Sequence, residues 1–137
     1  MMDLQGIEAR IPHRAPFLWI DRVETLEPGA RCVAYKRVDP DAEFFAGHFP
    51  ARPVLPGVFI IEAMAQTAGV MMGGGGEGLA LLAAVNRFKF LKPVEPGAEL
   101  RIEMKLSAAL GKLAVVEGVA EVAGEAVARG ELTVAQP

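Results

Sequence analysis

Apolar and polar positions fall into distinct regimes along the chain. Residues 3–10 suit one or two helical turns, opened by Asp3 and stopped before Ile11-Pro12. Phe17 to Thr25 (FLWIDRVET) is β-rich and mostly apolar, and Glu27-Pro28-Gly29-Ala30 is a turn signal. Arg31 to Val38 alternates as a second strand would. Asp39 to Pro56 is then a long irregular stretch, of the kind that is usually functional when ordered. From Pro56, which suits the first helical position, to Met72 the residues are apolar on nearly every face, interrupted by Glu62 and Gln66. Such a helix has to be surrounded by protein. The run Gly73-Gly74-Gly75-Gly76 ends it.

After Leu79 the pattern is that of strands. Leu100, Ile102, Met104 and Leu106 alternate with Arg101, Glu103, Lys105 and Ser107, giving one dry face and one wet face. Pro93 to Gly97 separates the earlier strands. Gly111-Lys112 and Gly124-Glu125 are hairpin candidates, followed by strands over Leu113–Val122 and Ala126–Val134. The order is strand, strand, one buried helix, then about four antiparallel strands. That predicts an α+β fold, a curved antiparallel sheet wrapped around one long central helix, with residues 1–137 forming a single domain.

Composition narrows the possibilities. Hydrophobic residues make up 52% of the 137, a surplus for a chain this short, which points to a subunit that buries surface against a copy of itself. A net charge of −3 argues against a bulk nucleic-acid or anionic-membrane binder. Cys32 is the lone cysteine, so no internal disulfide framework exists and a reducing, cytoplasmic setting is expected. The apolar stretch from Pro56 to Met72 is shorter than the roughly 20 residues of a membrane span, so no membrane insertion is expected. The N-terminus lacks the apolar segment of a signal peptide.

Three features converge in residues 47–66. His48 sits in Gly47-His48-Phe49-Pro50, and imidazole is the natural general base near neutral pH. Read alone, such a residue is more often a loop histidine held by a backbone carbonyl. Glu62 lies about 9 Å along the helix from Pro56. Apolar surroundings there favour the neutral, proton-donating carboxyl, whereas a structural ion pair is the plain alternative. Gln66, one turn on, could steer that carboxylate or be solvated. Gly57 places a side-chain-free N–H at the positive end of the helix, where a carbonyl developing negative charge could approach closely. A base, an acid and an oxyanion donor together describe proton abstraction beside a carbonyl, coupled to protonation of a leaving group. No metal or redox cofactor is expected: two histidines and one cysteine match no zinc spacing, and the glycine run follows a helix instead of preceding one. The only serine, Ser107, is on a predicted strand, which argues against serine hydrolase chemistry.

The segment GHFPARPVLPGVFIIEAMAQ (47–66), with IPHRAPFLWIDRV (11–23) before it and FLKPVEPG (90–97) after it, strongly resembles the beta-hydroxyacyl-(acyl-carrier-protein) dehydratases of the FabZ type. That resemblance implies a hotdog fold, assembled as a homodimer and often as a trimer of dimers. It implies that His48 and Glu62 are the catalytic pair, meeting across the dimer interface, with Gly57 N–H polarising the thioester carbonyl. It implies a partner, acyl carrier protein, whose phosphopantetheine arm delivers the acyl chain. Related dehydratase/isomerases carry aspartate where Glu62 stands, so glutamate favours dehydration alone. Ala15 stands where the family usually has tyrosine, Ala51 replaces a common glycine, and Tyr35 is the only tyrosine, changes that bear on substrate entry.

His13 and Arg14, in the IPHR segment, are read as structural packing near the strand start. Arg87, Lys89 and Lys92 form a basic patch suited to an acidic carrier protein, or a solvated strand face. Two rival functions stand beside the dehydratase. One is an acyl thioesterase in which Glu62 activates water; the other is a non-catalytic acyl-binding paralogue.

Overall fold

Asp3 opens the first helix, as its side chain allows. Its Oδ1 accepts from the Gly6 N–H at 3.1 Å, and α1 spans Leu4–Glu8. The structure, a computed structural model, describes residues 1–73 and 81–136. Strands β1 (Arg22–Glu27) and β2 (Arg31–Arg37) are joined by the expected turn, closed by Ala30 N–H donating to Glu27 O at 2.9 Å. A 3-10 turn, Glu43–Ala46, interrupts the long loop that follows. Helix α2 runs from Gly57 to Met72. The remaining strands are β3 (Leu81–Phe90), β4 (Glu99–Leu110), β5 (Leu113–Val122) and β6 (Glu125–Ala135). Gly111 and Gly124 take φ of 60° and 82° at the two hairpin turns, a backbone region that favours glycine.

All pairings in the six-stranded sheet are antiparallel, in the order β1-β2-β4-β5-β6-β3. The sheet curls around α2, which packs on β2, β4, β5 and β6, giving the hotdog arrangement. One predicted boundary moves. The run Phe17–Thr25 becomes strand only at Arg22, because Phe17 and Leu18 N–H both donate to Arg14 O and Trp19 N–H donates to Gln66 Oε1. The first half of that run is therefore tied to the helix and not to the sheet. At the other end of α2, the Gly73 N–H bonds Gly69 O at 2.7 Å, while Gly74 to Gly76 lie outside the described residues. Arg10 supplies a cap that the sequence did not announce: its guanidinium donates to Val70 O at 2.8 Å and to Gly73 O.

The core lies between α2 and the concave sheet face, where Ile60, Met64 and Met71 meet Ile102, Met104 and Leu132. Gly118 on β5 has no side chain because a Cβ there would strike the side chains of both Met104 and Met64. Cys32 is fully buried on β2, and burial pushes its thiol up to about 12. No described helix is long and apolar enough to cross a membrane.

The sheath is one-sided. Val58 at the start of α2 is 68% exposed, and the edge strand β3 leaves Leu82, Val85 and Phe90 between 41% and 52% exposed. Among the described residues, β3 pairs on one side only, with β6. A continuous edge of this kind, flanked by apolar side chains, is a surface built to be covered.

The Gly118 contact predicts that Gly118→Val lowers stability by about 1–3 kcal/mol through overpacking of the two methionines. Thermal unfolding followed by circular dichroism measures this, and an unchanged midpoint would show that Met64 and Met104 yield freely.

Candidate active site

The irregular loop before α2 delivers His48 through a clamp on Val54. The Val54 N–H donates to His48 O at 3.0 Å, and the His48 Nδ1 lies 2.7 Å from Val54 O. A carbonyl oxygen only accepts, so Nδ1 carries the proton and Nε2 keeps a free lone pair, the tautomer a general base requires. Loop closure onto the sheet side comes from Leu55 N–H, which donates to Val94 O at 2.8 Å. The half-buried imidazole stacks on Phe49 with ring centroids 4.0 Å apart.

Helix α2 begins directly after this loop. No side chain caps its N-terminus and no acidic residue sits in its first turn, so the field of its first N–H groups is not quenched locally. A Cβ on Gly57 would come within 2.7 Å of the Phe90 ring. His48 and Gly57 share one open cleft of about 490 Å³, walled by Val54, Ile61, Phe90 and Lys92.

Glu62 faces elsewhere. Within one chain it does not line the cleft of His48 and Gly57. It lines a small cavity of about 70 Å³ beside Ile11, His13 and Met72, and an aromatic recess of about 280 Å³ beside Phe17, Trp19, Phe44 and Phe59. The rings of Trp19, Phe44 and Phe59 pack together there, with centroids 4.7–5.9 Å apart; Phe44 and Phe59 are stacked and Trp19 is tilted against both. The structure thus brings two of the three predicted residues together and leaves the third on another flank of the helix.

Gln66 resolves one open alternative. It is 1% exposed and uses both ends of its amide. Nε2 donates to Phe17 O and to Glu62 Oε2, each at 2.9 Å, while Oε1 accepts from Trp19 N–H at 2.6 Å. The amide is therefore a strut that fixes Glu62 and docks the segment before β1, not a solvated side chain.

The IPHR segment divides. Arg14 is structural, as read from sequence: it pairs with Glu8 at 3.1 Å and donates to the carbonyls of Ile11 and His13. His13 packs its ring on Phe17, as expected, and also faces Glu62. Its Nε2 lies 3.8 Å from Glu62 Oε2, across 49 positions of sequence, a proximity that no local spacing signals. The basic patch is also divided. Lys92 is paired with Glu125, whose carboxyl the Lys92 ammonium holds below its usual range, while Arg87 and Lys89 share a shallow cleft with Glu117, Arg129 and Glu131. Among the described residues no three of His, Cys, Asp and Glu are grouped to hold a metal ion.

The profile of the FabA-like domain matches residues 11–131. The chain is 45% identical to the 3-hydroxyacyl-(acyl-carrier-protein) dehydratase FabZ of Geobacillus thermodenitrificans, over 96% of this chain and 93% of that one. It is likewise 45% identical to the protein of that name from Bacillus subtilis, over 98% of each. Among solved structures it resembles the dehydratase heterocomplex ApeI:P from Xenorhabdus doucetiae, with a TM-score of 0.79 at 25% identity, covering 96% of this chain and 90% of that one. The fold also matches Cj0977, a sigma28-regulated virulence protein from Campylobacter jejuni, with a TM-score of 0.76 at 14% identity, covering 98% of this chain and 90% of that one.

The Gly57 geometry predicts that Gly57→Ala displaces Phe90 and narrows the cleft. Crystallography of the variant should show the ring moved, and thioester turnover should fall by about tenfold or more, because the N–H remains but the added methyl misplaces the groups around it. An unmoved ring with full turnover would mean the close approach is incidental.

Proposed function

We infer the chemistry of this chain from one premise: it belongs to the FabA-like family, as a FabZ-type member. It is a 3-hydroxyacyl-(acyl-carrier-protein) dehydratase, a hydro-lyase of fatty acid biosynthesis. Its substrates are β-hydroxyacyl thioesters carried on acyl carrier protein, and its products are trans-2-enoyl thioesters and water. The observation that carries the site assignment is the His48 tautomer, because the Val54 carbonyl leaves Nε2 free to take a proton inside a cleft shared with Gly57.

The steps follow from bond accounting. His48 Nε2 removes the α-proton of the thioester, and the electron pair shifts toward the carbonyl oxygen. The Gly57 N–H at the uncapped end of α2 stabilises the negative charge that develops there. The pair then returns to form the Cα–Cβ double bond as the Cβ–O bond breaks. Glu62 gives its proton to the departing hydroxyl, which leaves as water. His48 is left protonated and Glu62 ionised, and exchange of one proton with solvent at each resets the site; no oxidant or reductant is needed.

That Glu62 opens, within one chain, into other cavities than His48 does supports its entering this reaction from a second subunit. The unpaired edge of β3 and the exposed apolar residues Val58, Leu82, Val85 and Phe90 support a homodimer joined along that edge. Each of its two sites then takes His48 and Gly57 from one subunit and Glu62 from the other.

The assignment is tested with a crotonyl thioester and the purified protein. Wild type should hydrate it reversibly, and His48→Ala or Glu62→Gln should abolish turnover while retaining the melting midpoint. Release of free thiol without hydration would overturn the dehydratase in favour of a thioesterase. The shared site makes a sharper forecast: mixing the two inactive variants through unfolding and refolding should restore about a quarter of wild-type activity, because half of the dimers are mixed and each has one intact site. No recovery would place both residues in the same subunit's site.

A further inference from the structure

Glu62 is held from one side by a closed set of contacts. Gln66 Nε2 donates to Glu62 Oε2 and also to Phe17 O. The Phe17 ring stacks on His13, with centroids 6.2 Å apart and planes 14° from parallel. His13 in turn points Nε2 at Glu62 Oε2 from 3.8 Å. That separation is too long for a direct hydrogen bond and too short to admit a bridging water. The other ring nitrogen, Nδ1, is buried and has no hydrogen-bond partner among the described residues. A buried N–H without an acceptor is costly, so the ring proton belongs on Nε2, toward the carboxylate.

We propose that His13 is a positioning residue for Glu62: with Gln66 it occupies Oε2, so that Oε1 is the oxygen that delivers the proton to the departing hydroxyl. The proposal rests on the reading of Glu62 as the proton donor. Both donors approach the same oxygen, so a proton on Glu62 is directed to the other. The 3.8 Å gap closes to hydrogen-bond length when substrate fills the site, as catalytic contacts often do. His13 then acts through Glu62 and touches no reacting atom. The carboxyl keeps a single orientation while its charge changes during turnover, because the two donors come from different elements, the loop before β1 and helix α2 itself.

Two variants separate donation from packing. His13→Gln keeps an N–H donor at nearly the same reach, whereas His13→Phe keeps an aromatic ring to stack on Phe17 and removes the donor. With the crotonyl thioester, His13→Phe should lower kcat by about tenfold or more and leave KM within about twofold, since a hydrogen bond to a charged group is lost in the reacting state. His13→Gln should keep kcat within about threefold of wild type. A purely structural role predicts the opposite order, with the ring-preserving variant less affected. If His13→Phe retains wild-type kcat, or if folded His13→Gln is damaged as badly as His13→Phe, the proposal is overturned. Should the Phe variant fail to fold, His13→Asn, too short to reach Glu62, takes its place with the same expected loss. A wild-type protein that turns over no thioester overturns the dehydratase reading instead, so the two failures are distinguishable.

Discussion

An apolar helix must be covered on every side, and the sheet of one chain covers only part of this one. Residues from Ile60 to Met71 are largely buried against the concave face, yet Val58 stands in solvent and Phe59, Ile61 and Ala65 are only half-buried. Much of the architecture follows from that constraint. The sheet is long enough to wrap α2 because β4, β5 and β6 have 10–12 residues each. It ends at β3 with an open edge, beside the part of the helix it leaves bare. The hydrophobic effect that folds the chain therefore continues past the chain's own boundary.

Polar groups inside such a core must be fully paired, and Gln66 shows how one residue meets that demand while serving a second purpose. Its amide satisfies two backbone groups of the segment before β1 and also holds a carboxylate. A hydrophobic residue there would leave Trp19 N–H and Phe17 O without those partners. The cost of orphaned groups thus ties the position of Glu62 to the folding of a segment far away in sequence. Stability and orientation of the site share the same hydrogen bonds, which leaves little freedom to alter one alone.

What the sequence revealed was whatever depends on near neighbours. Asp3 as a cap, Gly57 at the helix start, and the hairpins at Gly111 and Gly124 are each decided by a few adjacent residues, and each is found in the structure, whereas Pro56 stands one place before the first helical position, as the N-cap. Phe17 to Trp19 stays out of the sheet because its β-forming composition yields to a side chain 47 positions from Trp19. The arginine cap from Arg10 to the end of α2 and the approach of His13 to Glu62 were invisible for the same reason. The pairing of His48 with Gly57 in one cleft was legible, since only eight residues separate them. The separation of Glu62 from that cleft was not, because which flank of a buried helix a side chain faces depends on how the loop and sheet close around it.

Cys32 has a practical consequence. Its thiol is wholly buried on β2 and its ionisation is pushed up to about 12, so near neutral pH it presents almost no thiolate and no route for a reagent. Burial of its native cysteine should keep the folded chain unlabelled by maleimides. A single cysteine introduced at an exposed position such as Lys105 or Glu125 becomes the one reactive thiol per subunit. A spectroscopic label placed there would follow subunit exchange directly, in a protein whose natural sequence already provides a blank background.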